Sequence, residues 1–184
     1  MVRKILIYPD KFLRQKTIEI KEFNFEVLQL ALDLIDTMRA YEGLGISANQ
    51  VGEIHRLCAI DLEGIKEGKG YLVLANPILI YKEGSEIDEE GCLSFPELYV
   101  KLERPSFAII RAHKLNLKTR EFEETEIQAK GLFARVLLHE IDHLNGILFI
   151  DHLPIEKRAK VLKEWMENIK SKQKVYEKAN VKTI

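Results

Sequence analysis

Apolar positions along this chain change period several times, and each change predicts an element. From Phe25 to Tyr41, apolar side chains fall at Val27, Leu30, Ala31, Leu34, Ile35 and Met38, the spacing of one helix face. Asn24 stands where an N-cap belongs, and Gly43 and Gly45 are expected to end this helix and open a loop. Residues 1–23 read as irregular apart from a short strand expected at Lys4–Tyr8. The aliphatic runs His55–Leu62 and Tyr71–Ile80 suit strands, with the glycine-containing stretch Glu63–Gly70 as a turn. Phe107–Leu117 and Glu121–Ala129 show partial period-two alternation around the polar turn Lys118–Arg120, the pattern of a hairpin. Leu132–Leu144 returns to helical spacing and meets a strong stop at Asn145–Gly146. Pro154 precedes a last amphipathic helix, about Ile155–Tyr176. A helix, several mainly antiparallel strands, a central helix and a terminal helix predict an α+β fold, not a βαβ repeat.

Composition narrows the class. Over 184 residues, 46% are hydrophobic and 31% charged, which fits one globular domain spanning 1–184 with a substantial core. Lys+Arg number 28 and Asp+Glu 29, so the formal charge of −1 argues against bulk attraction to nucleic acid or membrane. No specific DNA binding is expected. The charge is unevenly spread: Ile155–Ile184 carries a net charge of about +5 and the remainder about −6. That tail reads first as a solvated helix face and second as a docking surface for an acidic partner. Two cysteines, Cys58 and Cys92, argue against a disulfide framework and fit a reducing compartment. The apolar run ahead of Pro9 and Asp10 is too short for a signal-peptide core, and no run reaches transmembrane length. A soluble, cytoplasmic protein is the expectation.

The candidate chemistry starts at His139-Glu140-Ile141-Asp142-His143. Histidines four residues apart share one helix face, so both imidazoles can reach one metal ion. The glutamate beside the first is placed to handle protons on a water at that ion. Leu132 and Val136 lie on the same face, so the histidines sit on an apolar stripe where neutral imidazoles need partners. A third ligand must come from elsewhere. A metzincin would carry a histidine three residues after Gly146, but Phe149 stands there. A thermolysin-like site would draw on a later helix, where Glu164 and Glu167 are available. Cys92, in Glu90-Gly91-Cys92-Leu93-Ser94, offers a thiolate suited to zinc or ferrous iron. Cys58, between Leu57 and Ala59 in a strand pattern, reads as buried packing. Three classes remain open on these residues: a metal-dependent amide hydrolase, a zinc endopeptidase, and a non-catalytic zinc-stabilised binding module.

Three segments in order, Gly43–Gln50 (GLGISANQ), Glu90–Ser94 (EGCLS) and His139–His143 (HEIDH), resemble the peptide deformylase family, with the likeness running from about Tyr8 to Leu153. The resemblance implies hydrolysis of the N-formyl group from the formylmethionine of nascent polypeptides, releasing formate. It implies metal ligation by Cys92, His139 and His143, a catalytic Glu140, and oxyanion donors at the Gln50 side chain and the Leu93 backbone N–H. It further implies a substrate backbone beside Leu44, Gly45 and Gly91, and a methionine pocket involving Leu44, Leu132, Val136 and His139. Ferrous iron is the ion the resemblance implies; zinc, nickel and cobalt also suit these donors. Glu42 and Arg104 match a pair that forms a salt bridge behind the loop in the family. The basic terminal helix resembles a ribosome-docking element. Departures from the family pattern include Ser47 where alanine is commoner, Leu138 where glutamine is common, Arg135 where a pocket-side apolar residue is common, and Tyr99 where some members carry arginine.

Overall fold

The computed structural model describes the backbone of residues 1–181 and the side chains of residues 1–171. The end of the basic tail, residues 182–184, lies outside the described residues. The chain divides into two compact units, Met1–Phe149 and Ile150–Ile184.

The first unit runs α1 (Phe25–Ala40), β1 (Gly45–Ser47), β2 (Leu57–Asp61), β3 (Tyr71–Glu83), β4 (Glu86–Cys92), β5 (Phe95–Arg104), β6 (Phe107–Asn116), β7 (Glu121–Lys130) and α2 (Gly131–Leu144). Five strands make one sheet in the order β1-β2-β3-β6-β7, and β4 pairs with β5 in a separate ribbon. All pairings between these strands are antiparallel. The second unit contains α3 (Ile155–Val181).

The sheet is covered on both faces, which explains its unbroken aliphatic runs. Leu57 and Ala59 of β2, with Val73 and Ala75 of β3, join a cluster with Val27, Leu30, Leu34 and Met38 of α1. The alternate residues, Cys58 and Ile60 with Leu72 and Leu74, join Phe133, Leu137, Ile141 and Leu144 of α2 on the other face. A strand buried on both faces needs apolar residues at every position. Each fully buried side chain of the Leu or Ile class contributes about 1.5–3 kcal/mol through burial. Cys58 is 1% exposed, as its strand pattern predicts.

The helix ends follow local chemistry. The Asn24 side chain accepts from the Val27 N–H at 3.1 Å, closing the start of α1. At its other end, Glu42, not glycine, takes the left-handed turn, with φ 53°. Gly43 then donates to the Met38 carbonyl at 3.0 Å. The expected role of Gly43 as a helix breaker is corrected: a Cβ there would lie 2.7 Å from Leu93, so its smallness serves close packing. At the end of α2, Gly146 has φ 74° and the N–H of Ile147 reaches the Asp142 carbonyl at 2.9 Å, the stop expected from Asn145–Gly146.

Three expectations change. Lys4–Tyr8 is not a strand; it is an extended segment tied by Leu6 N–H to the Gln50 carbonyl (2.8 Å) and Tyr8 N–H to the Ser94 carbonyl (3.0 Å). The ribbon β4–β5 went unread because Glu86, Ile87, Asp88 and Glu89 are all exposed, so β4 has no apolar face to alternate. The terminal helix continues past Tyr176 to Val181, because no proline or glycine interrupts it.

Candidate active site

Helix α2 carries His139 and His143 one turn apart, and the ribbon brings Cys92 to them. Cys92 Sγ lies 3.2 Å from His143 Nε2, and the two Nε2 atoms lie 3.2 Å apart. The three donor atoms all fall within 4.8 Å of one another, the one such group of metal-ligating side chains among the described residues. The end of α2 is held from several sides. Asn49 Nδ2 donates to the His143 carbonyl at 2.5 Å, and Arg56 Nη1 and the Thr17 N–H donate to the Leu144 carbonyl at 3.2 and 2.9 Å.

Glu90 sets the orientation of His139. Its carboxylate meets His139 Nδ1 at 2.6 Å, Arg104 Nε and Nη2 at 3.0 and 2.6 Å, and Arg135 Nη1 at 3.1 Å. A carboxylate only accepts, so His139 Nδ1 carries its proton and Nε2 keeps its lone pair for the cluster. Burial pushes the Glu90 carboxyl up, but hydrogen bonds from His139 and Arg104 outweigh it and hold the group well below the usual carboxylate range. Two soft-to-borderline nitrogen donors and one sulfur, already oriented by a fixed carboxylate, fit a divalent transition metal. Hydrogen bonds from the Ser94 N–H (3.4 Å) and Gln50 Nε2 (3.6 Å) reach the Cys92 sulfur.

Glu140 is 2% exposed, and its Oε2 is a buried oxygen without a hydrogen-bond partner. Burial pushes its carboxyl up to about 7, against the opposing pull of His139 and Ser47. Two carboxylates in one site are thus driven apart, one held ionised and one poised near neutrality. Gly45 lies directly against Glu140: a Cβ there would collide with the carboxylate and sit 3.0 Å from Val136 Cγ1. This close approach is the physical reason for the second glycine of the loop.

One cavity of about 830 Å³ gathers Leu44, Gly45, Gln50, Gly91, Cys92, Leu93, Leu132, Val136, His139 and Glu140. Every residue to which the resemblance assigns catalysis, metal ligation or substrate contact lines it except His143, which is 1% exposed. The expected Glu42–Arg104 salt bridge is corrected. Glu42 is exposed in its left-handed turn, and Arg104 is ion-paired with Glu90 and with Asp142 at 2.5 Å. Arg135 likewise points away from an apolar role: it is 5% exposed and donates to Glu90 and to the carbonyls of Leu102 (3.2 Å) and Glu86 (2.8 Å). Sequence reasoning missed Glu90 as the holder of His139, although its place two residues before Cys92 was a usable signal. It also missed the wall formed by Lys4, Ile7 and Tyr41, which no local pattern marks.

A family model described as polypeptide deformylase matches residues 2–159. A peptide deformylase of Desulfotalea psychrophila is 40% identical over 168 residues, covering 89% of this chain and 96% of the relative. One of Thermoanaerobacter pseudethanolicus is 42% identical over 150 residues, covering 82% and 86%. The crystal structure of a peptide deformylase from Legionella pneumophila superposes with a TM-score of 0.84 at 34% identity, over 94% of this chain and 98% of that one. A peptide deformylase from Ehrlichia chaffeensis in complex with actinonin gives a TM-score of 0.81 at 30% identity, over 91% and 97%.

Proposed function

This chain belongs to the polypeptide deformylase family, metal-dependent hydrolases that remove the N-formyl group from nascent polypeptides, and from that premise we propose which of its residues do the work. Cys92, His139 and His143 hold one divalent ion, ferrous iron in the native protein. When bound there, the ion would polarise the formyl carbonyl and lower the pKa of an attacking water towards neutrality. Glu140 takes the proton of that water through its unpartnered Oε2 and returns it to the leaving amine. The Gln50 carboxamide and the Leu93 N–H stabilise the negative charge that develops on the formyl oxygen.

The peptide enters as an added strand. β1 is the edge of its sheet, paired only with β2, so its outer side can accept a backbone beside Leu44 and Gly45, with Gly91 opposite. Leu132 and Val136, on the same helix face as His139, form the wall for the methionine side chain. The observation that carries the reading is the meeting of the Cys92, His139 and His143 donors in the cavity that Glu140 and Gln50 share. Release of formate from a formyl-methionyl dipeptide by anaerobically prepared protein tests it, with elemental analysis of the metal. Full activity of a Cys92→Ala variant with undiminished metal content would overturn the ligand assignment; zinc-loaded protein as active as the iron form would overturn the choice of iron.

The ribosome is the partner proposed for α3, whose basic residues Lys157, Arg158, Lys160, Lys163 and Lys170 suit ribosomal RNA. Truncation after Leu153 should weaken ribosome association and flatten its salt dependence. No described helix is long and apolar enough to cross a membrane. Action in the cytoplasm, where formylated chains emerge, is the accompanying proposal.

A further inference from the structure

Ser47 departs from the alanine common at its position, and the fold gives its hydroxyl a definite place. Its residue is fully buried. The Oγ lies 3.1 Å from Gln50 Oε1 and 3.1 Å from Asn49 Oδ1. The Asn49 orientation is independently set, because its Nδ2 donates to the carbonyls of His143 and Gln15 at 2.5 and 3.4 Å. The hydroxyl proton therefore faces acceptors, and Oγ–H serves as a donor.

The consequence falls on Gln50. A carboxamide has one donor end and one acceptor end, and only the donor end can stabilise a developing oxyanion. A half-turn about its last torsion would present Oε1 to that charge and repel it. In this chain Oε1 faces two donors from one residue, the Ser47 N–H at 3.0 Å and the Ser47 hydroxyl at 3.1 Å, whose single proton it shares with Asn49 Oδ1. Nε2 is then turned towards Ser94 Oγ (3.1 Å) and the Cys92 sulfur (3.6 Å), on the cavity side. The backbone N–H would be present with any residue but proline at this position. The hydroxyl is what serine adds.

We propose that Ser47 is a positioning residue for deformylation, locking the Gln50 carboxamide with its donor end towards the formyl oxygen. This rests on the reading of Gln50 as an oxyanion donor. The role is preorganisation, so it acts on the transition state and not on peptide binding. Loss of one such hydrogen bond corresponds to about a three- to tenfold effect.

The test is a two-by-two cycle on metal-loaded protein: wild type, Ser47→Ala, Gln50→Leu, and both together, each assayed for formate release, metal content and melting temperature. Ser47→Ala should lower kcat about three- to tenfold, with KM, metal content and melting temperature close to wild type. In the Gln50→Leu background the same change should cost nothing further. A wild-type kcat for Ser47→Ala overturns the proposal. So does an equal loss in both backgrounds, which would route the hydroxyl through Glu140, or a loss that tracks metal content or melting temperature. The underlying reading fails separately: Gln50→Leu would then keep wild-type turnover.

Discussion

Helix α2 and the β4–β5 ribbon supply the same site in opposite ways. The helix is an apolar element that presents its chemistry on contiguous residues: of its fourteen residues, eleven are buried, so its position is determined by the core beneath it. The ribbon is a polar element whose first four residues are exposed, yet the end of β4 carries Glu90 and Cys92, and Arg104 closes β5 opposite Glu86. The helix is held by hydrophobic burial. The ribbon meets the helix through charge, with Glu90 shared among Arg104, Arg135 and His139. The difference teaches that one site can combine an arm that would form for packing reasons alone with one anchored by buried ions, whose geometry is demanding.

The largest expected effects lie on the helix arm. His139→Ala and Glu140→Ala should each lower formate release by about 10³-fold or more. Elemental analysis separates them: His139→Ala should lose the metal, and Glu140→Ala should keep it. Equal metal loss in both would end the division of roles. On the ribbon arm, Glu90→Gln takes the carboxylate from buried Arg135, leaves Arg104 with Asp142 alone, and should cost about 3–5 kcal/mol of stability in urea unfolding. A cost under about 1 kcal/mol would mean the ribbon is held by something other than this cluster. Leu137→Ala, which opens a hole in the fully buried face of α2, should cost about 2–5 kcal/mol. A smaller value would show that the helix arm does not rest on packing. The smallest effect on stability should come from Tyr99→Ala, opposite Gly91 at the cavity wall. Tyr99 is 65% exposed, so its removal should change stability by no more than about 0.5 kcal/mol. A larger loss would add Tyr99 to the buried Phe95, Val100 and Leu102 as an apolar anchor of the ribbon.

The same contrast governs how much was legible beforehand. The α2 pattern combined a helical apolar stripe, a strong stop and two ligands four residues apart, all local, so its chemistry and its conformation could be read together. The aliphatic strands β2 and β3 were visible because both their faces are buried. Strand β4 was not, because its first four residues are all exposed and show no apolar alternation, although β5 buries Phe95, Val100 and Leu102. Cys92 was recognised by its donor chemistry and by the likeness of Glu90–Ser94 to a family motif, without any knowledge of the strand that ends on it.

By itself the sequence determined the α+β class, the extents of α1 and the β6–β7 hairpin to within a residue or two, the helix that carries two of the candidate ligands, the third candidate and the family. These depend on periodicity, capping and motif spacing, which are properties of neighbouring residues. The tertiary structure decided what depends on distance between remote segments. It paired Arg104 with Glu90 and Asp142 and left Glu42 exposed. It pressed Gly43 against Leu93 and Gly45 against Glu140. It turned the Gln50 amide on Ser47 and stripped one oxygen of Glu140 of partners. Ionisation and close packing are set by whatever surrounds a group in space, and chain order records those surroundings only where the neighbours are also neighbours in sequence.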